Sequence, residues 1–412
     1  MSPSPGRLRR GPRPTPSYGA RVLVGAVAAW LGACRDLSAP PSSVEPVPVA
    51  GNVRFVSVSA GALHTCGVAA TGTTYCWGWN RDGELGDGSR TDRSIPVAVA
   101  AQVTFSAVTA GGGHTCAVDG GGAYCWGLNL SGQVGDGSTT TRVTTTPVAG
   151  GFTFGAVAAG GAYTCGLVAD SSARCWGFAA WGQLGGGSRA DAHTPTPVVG
   201  GLKFVAVVAG TQHSCGLTAD SAAFCWGKND FGQLGDSTQG DTTAPVPVRG
   251  RLRFKALTIG YWHTCALTAA GEAYCWGDNS LGQLGDTLVL LSTVPDLVGG
   301  GERFIALSAG GSHSCGIGTD NVARCWGADA NGQLGGPATH VCMISASQAP
   351  CSPWPQVVSG GYSFIALSAG TQHTCALTSD RRAYCWGLNS NGQLGNATRV
   401  AAAPIPVGVR LW

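Results

Sequence analysis

The chain is short of charge. Only 11% of its 412 residues are Asp, Glu, Lys or Arg. The straight-chain helix builders are scarcest, with three Lys, four Glu and two Met. That shortage excludes long amphipathic helices, bundles and coiled coils. No apolar run reaches the roughly 18 residues of a membrane-spanning helix; the longest, VLVGAVAAWLGA at 22–33, has 12. Low charge does not mean disorder here, because 44% of residues are hydrophobic and net charge is small. What is abundant is 66 Gly and 22 Pro, beside many Val, Thr, Tyr, Phe and Trp. That mixture favours strands joined by tight turns.

A basic excess is also missing once the N-terminus is set apart. Arg7, Arg9, Arg10, Arg13 and Arg21 precede or open the apolar run with no acid among them. This is the layout of an export signal. The run ends in LGAC, residues 31–34, which resembles the bacterial lipoprotein box. That resemblance implies cleavage after Ala33 and a lipid on Cys34, hence membrane attachment. The alternatives are a cleaved secretory signal with an incidental Cys, or a short N-terminal anchor. Without residues 1–33 the formal charge falls from +3 to −2, with 20 basic and 22 acidic residues left. A nucleic-acid partner, which requires a basic face, is not expected. RDLSAPPSSVEPVP at 35–48 reads as a Pro/Ser-rich tether. The layout is a signal at 1–33, a tether at 34–48 and a repeat body at 49–412.

The body is periodic. HTCGVAATGTTYCWGWNRDGELGDG, from His64 to Gly88, recurs seven times. The repeats start near 55, 105, 154, 204, 254, 304 and 364. One copy, at 253–298, reads as four short strands: RFKALTIG, the hairpin pair HTCALTA and EAYCWG around a glycine turn, then TVPDLV opened by Pro. Four strands per about 50 residues, repeated seven times without helices, predict an all-β seven-bladed β-propeller with four-stranded antiparallel blades. Outer-strand motifs of PxPV type number eight rather than seven, because 46–49 adds one. Either 46–49 or 404–407 closes the ring.

GQLG recurs around Gln183, Gln233, Gln283, Gln333 and Gln393, with GELG at Gly83 and GQVG at Gly132. With AGxxHTCAL and YCWGxN, this pattern resembles the regulator of chromosome condensation repeat, whose family members are seven-bladed propellers. The paired cysteines depart from that family and point to an exported branch. The resemblance implies a binding protein. Nuclear members exchange guanine nucleotide on a small GTPase and bind chromatin, but export and the charge of −2 argue against both. An exported member of similar repeat binds an enzyme through aromatic loops on one face.

Of 17 cysteines, Cys34 is set aside for the lipid and 16 remain. They pair as Cys66–Cys76, Cys116–Cys125, Cys165–Cys175, Cys215–Cys225, Cys265–Cys275, Cys315–Cys325, Cys375–Cys385 and, in an insertion at 336–353, Cys342–Cys351. Each hairpin places its two cysteines opposite one another, close enough to bridge. Zinc pairs favour two to four intervening residues, and these have eight or nine. Disulfides in turn require an oxidising compartment.

His64, His114, His213, His263, His313 and His373 precede the first Cys of six copies; Tyr163 stands in the third. Asn80, Asn129, Asn229, Asn279, Asp329 and Asn389 lie three residues before the turn glycine, where the third copy has Ala179. Both residue types are lost in the same copy. The expectation is a latch within each blade, His to its own Asn or Asp. No metal, Ca²⁺, cofactor or catalytic set is expected: the sevenfold ring spreads equivalent positions too far for one ion, the glycine turn lacks EF-hand acids, and no nucleophile stands out.

Function then belongs to positions that differ between copies. The AGxxH and WGxNxxG loops must emerge on one face of an antiparallel blade. There Phe178, Trp181, Phe231, Tyr261, Trp262 and Leu281 cluster in copies three to five and would form an aromatic patch for an envelope or extracellular protein or a surface polymer. The alternative packs each of them against its neighbouring blade. The expected protein is a monomeric, non-catalytic binding propeller; a glycan-acting hydrolase or lyase, which needs two carboxylates facing a cleft, is the other reading.

Overall fold

A computed structural model describes residues 53–286, 289–344 and 347–410. Cys34, the export segment, the tether and the motif at 46–49 lie outside them. Seven antiparallel sheets follow one another along the chain, at 55–98, 107–147, 154–197, 204–247, 254–297, 304–357 and 364–408. Each sheet is one blade, and in six of the seven the strands lie in sequence order; in blade six the strand Ser347–Val357 pairs with the third strand and His340–Ile344 lies outermost. In blade one the strands are Phe55–Ala60, His64–Ala69, Thr74–Gly78 and Arg93–Ala98. The outer strand of blade seven is Ala402–Gly408, which pairs Val407 with Cys385. The C-terminal motif therefore fills that slot, and every described blade is built from consecutive chain. The one helical segment among the described residues is a single 3₁₀ turn, Gly299–Gly301.

The second strand of each blade is buried over at least its first four residues, and in His64–Ala69 along its whole length, because a neighbouring blade covers each of its faces. A continuous apolar or small-residue strand is what such a position requires. The Trp of each WG pair (Trp77, Trp126, Trp176, Trp226, Trp276, Trp326 and Trp386) is wholly buried, and each packs near the Phe that opens an inner strand, Phe55 with Trp77 for example. The cysteines stand directly opposite, Cys66 against Cys76, and all eight expected pairs are disulfide-bonded. The WG glycine is required twice over. Gly78 has φ +106°, and a Cβ there would lie 2.6 Å from the Leu63 carbonyl oxygen.

Blade six departs from the four-stranded pattern. Its insertion is a β-hairpin, His340–Ile344 with Ser347–Val357, which adds a fifth strand to the sheet. The outer strands of the other blades carry proline, as in RSIPVA and TTAPVP, which withdraws donors from an open edge.

Candidate functional site

The histidines do not meet their own asparagines. Each donates from Nε2 to a hydroxyl of the next blade: His64 to Thr115, His114 to Thr164, His213 to Thr264, His263 to Ser314, His313 to Thr374 and His373 to Thr65, all at 2.8–2.9 Å. That hydroxyl donates in turn to the carbonyl of the preceding blade's GQLG glutamine, or Glu84 in blade one, at 2.8–3.1 Å. Its proton being used there, the imidazole Nε2 must carry the other. The same carbonyl accepts from the next blade's Trp Nε1 at 2.9–3.0 Å. Nδ1 of all six rings is buried without a partner. Desolvation lowers the imidazoles, His64 to about 4 and the other five to about 3, so they are neutral at ordinary pH.

The expected latch is therefore wrong in its partners. His is a clasp between blades. Asn80 works inside its own loop: Oδ1 accepts from the Leu85 N–H at 3.0 Å, and Nδ2 donates to Asp87, Ser89 and the Thr91 carbonyl. Asn129, Asn229, Asn279 and Asn389 repeat this with Asp136, Asp236, Asp286 and Asn396. Asp329 retains only the accepting half, from Leu334 N–H, and burial raises its carboxyl to about 6. In blade three Tyr163 takes over the clasp: its hydroxyl donates to the His213 carbonyl at 2.5 Å and lies 2.9 Å from the Ser214 hydroxyl. Ala179 coincides with a second change, Gly186 in place of the acid, so its loop lost both halves of a different contact.

On the face carrying the AGxxH and WGxNxxG loops, the aromatic residues form two neighbouring pairs. Phe231 of blade four meets Trp262 of blade five with centroids 5.5 Å apart, and Tyr261 meets Trp262 at 6.0 Å. One blade earlier, Lys228 Nζ sits 3.7 Å over the Trp181 ring while paired with Asp230 at 2.6 Å. Trp262 is exposed; Trp181, Phe231, Tyr261, Phe178 and Leu281 are half-buried. Phe178 and Leu281 join no ring contact among the described residues. Leu290, which the sequence reading left out, is 77% exposed at the same rim.

Tyr261 also reaches across the central channel to the Thr371 hydroxyl of blade seven, at 3.2 Å. It bounds a cavity of about 520 Å³ lined by the ends of all seven inner strands and the loops that follow them. The lining is Ala, Gly, Ser, Thr, Val and Ile, with Tyr261 the one titratable side chain. Backbone bonds between adjacent blades ring this mouth, from Ala62 N–H to Gly111 and from Thr371 N–H to Gly61 for example. Blades four and five lack such a bond from Thr211 among the described residues; there Ile259 stands where the other six inner strands end in Ala.

Together these features define a disulfide-stapled seven-bladed propeller with aromatic loops concentrated over three blades. The chain belongs to the RCC1-like domain family, which it matches over residues 25–359, with an RCC1 repeat matched at 357–393. A segment of 44 residues is 52% identical to the ultraviolet-B receptor UVR8 of Arabidopsis thaliana, covering 11% of this chain and 10% of that protein. Among solved structures it is similar to yeast RCC1 (Prp20) in its crystal structure with Kap60, at TM-score 0.74 and 20% identity over 92% of this chain and 91% of that one. Human WBSCR16 is similar at TM-score 0.72 and 19% identity, over 82% and 94%. At such identities the likeness is one of fold. Eight disulfides mark an oxidising, extracytoplasmic compartment. Among the described residues no helix is long and apolar enough to cross a membrane, and no three or more His, Cys, Asp or Glu side chains are grouped to hold a metal ion.

Proposed function

We propose that this chain is a non-catalytic binding propeller of the bacterial cell envelope, lipid-anchored through Cys34, that grips another protein with the loop face of blades three to five. The observation that carries this is the seam-crossing contact of Phe231 with Trp262, flanked by Lys228 on Trp181. Large, stiff aromatic rings beside a cation are the usual anchors of protein interfaces. The channel mouth beneath them supports binding over hydrolysis, since its lining offers no carboxylate, imidazole or amine and glycoside hydrolysis requires two carboxyl groups.

The test is capture from native envelope by the wild-type chain and by a Trp181→Ala, Phe231→Ala, Trp262→Ala variant. A partner held by the first and lost by the second, with circular dichroism unchanged, is the expected result. Equal capture overturns this site. Radiolabelled palmitate incorporated by the wild type but not by Cys34→Ser checks the anchor separately.

A further inference from the structure

The opposite mouth of the channel, formed by the starts of the inner strands, the hairpin turns and the links between blades, has its own chemistry. The residue that follows the buried Phe at the start of each blade is exposed there. In five consecutive blades, four through seven and then one, it is Val205, Lys255, Ile305, Ile365 and Val56; the other two blades have Ser106 and Gly155. The four aliphatic members are 45–57% exposed, and at the lower ends of the outer strands Leu297 and Val357 are 55% and 56% exposed. Isolated exposed aliphatics are ordinary, but an arc of them at equivalent positions is a patch.

Cations border the arc. Arg54, Arg253 and Arg303 stand one residue before the inner strands and pair with Asp380, Asp220 and Glu272 of the preceding blades. Lys255, Arg251 and Arg381 are exposed on this face without an ion-pair partner among the described residues. Arg251 and Arg381 sit at left-handed turn positions, φ +54° and +64°. The described residues also begin here: Phe55 N–H bonds the Arg381 carbonyl at 2.9 Å.

We infer that this face seats on an anionic bilayer surface, with Val56, Ile305 and Ile365 entering the headgroup region and Lys255, Arg251 and Arg381 meeting lipid phosphates. Aliphatic side chains ringed by Lys and Arg are the composition of an interfacial anchor. The first described residues, next to Phe55, lie at this same face. The inference does not rest on lipidation of Cys34. It directs the aromatic loops away from the bilayer.

The test uses residues 34–412 with Cys34→Ser, which carry no lipid and include the complete ring. Vesicles of phosphatidylcholine with about 30 mol % phosphatidylglycerol are floated through a gradient. Binding at least tenfold stronger than to pure phosphatidylcholine is expected. A Val56→Ser, Ile305→Ser, Ile365→Ser variant and a Lys255→Glu, Arg251→Glu, Arg381→Glu variant should each lose tenfold or more. The Trp181/Phe231/Trp262→Ala variant should bind like the parent, which separates this face from the partner-binding one. No flotation with anionic vesicles overturns the inference. So does flotation that survives the serine variant, or heparin binding equal to vesicle binding; both would mark a surface for soluble polyanions. Because all six substituted positions are exposed, unchanged melting temperatures are expected and confirm that the variants fold.

Discussion

The seam between blades one and two and the seam between blades four and five share half of their chemistry. Both have the His–hydroxyl–carbonyl clasp and the buried Trp on the same carbonyl, through His64, Thr115 and Trp126 in one and His213, Thr264 and Trp276 in the other. Nearer the channel they part. Ser59 accepts from the Ala110 N–H at 2.9 Å in the first, whereas blade four has Val208 at that position. Ala62 N–H bonds Gly111 in the first, whereas Ile259 occupies the second. The polar zipper lapses where the aromatic loops gather. The outer seam is scaffold and barely changes around the ring; the channel side and the rim are where one sector has been altered.

Acid attacks the shared half and should have the largest effect. The six imidazoles are held at about 3 to 4 when folded, against about 6.5 unfolded. Between those values the unfolded chain binds protons that the folded one refuses, so stability is complete above pH 6.5 and falls progressively toward pH 3. Each group contributes up to about 1.4 kcal/mol per pH unit in that window. The seam from blade three to four, clasped by Tyr163, has no imidazole to charge. Hydrogen exchange at pH 4.5 should show it opening last; early opening there would mean the histidines are not what acid attacks.

Removing one clasp comes next. His64→Ala and His213→Ala each leave a buried hydroxyl without its donor and a cavity beside it, a cost of about 2–4 kcal/mol. Equal shifts in urea midpoint are expected, because the two outer seams are alike. Tyr163→His, which installs the common residue, should cost less than about 1 kcal/mol. A much smaller cost at His213 would place the difference between the seams in the clasp as well as the channel.

Glu84 stands where most copies have Gln, and it accepts from Asp82 N–H at 2.9 Å as those glutamines do from their own loops. Burial raises its carboxyl to about 7. The folded state therefore retains a proton that the unfolded chain has released above about 4.5, and stability contributed by that proton is lost as pH rises through 7. Glu84→Gln should stabilise the protein by about 1–3 kcal/mol at pH 8 and by little at pH 5. Thermal melts at both values would check it.

The ring, its seven blades and the hairpin disulfides were legible because each rests on spacing that the chain repeats. The His clasp was not, because its partner lies about 50 residues away. A signal did exist. The residue after the His position is Thr or Ser in every copy (Thr65, Thr115, Thr164, Ser214, Thr264, Ser314, Thr374), a buried hydroxyl asking for partners on both sides. The loss of His and Asn together in copy three misled because Tyr163 replaces the clasp while Ala179 accompanies Gly186. The pairing of Asn80 with Asp87, and of Ala179 with Gly186, carried the correct assignment at seven residues' distance. The apolar arc at the other mouth escaped notice because Val56, Ile305 and Ile365 read as ordinary strand residues; a bulge in each inner strand, between Phe55 and Ser57 in blade one, turns them outward.

The smallest effect tests the altered half of the comparison. Val208→Thr puts a hydroxyl where blades one, two, five, six and seven have one, within the geometry that lets Ser59 reach the Ala110 N–H. The Ile259 N–H of the next strand would gain an acceptor, stabilising by about 0.5–1.5 kcal/mol; Ser59→Ala should lose as much. Combined with Ile259→Ala, the change rebuilds the zipped seam under Phe231 and Trp262. If the lapse exists to let those loops adjust to a partner, the double variant will be more stable and bind more weakly, with both aromatic rings intact. If the lapse is neutral, stability rises and capture is unchanged. The rim would then act without help from the channel beneath it.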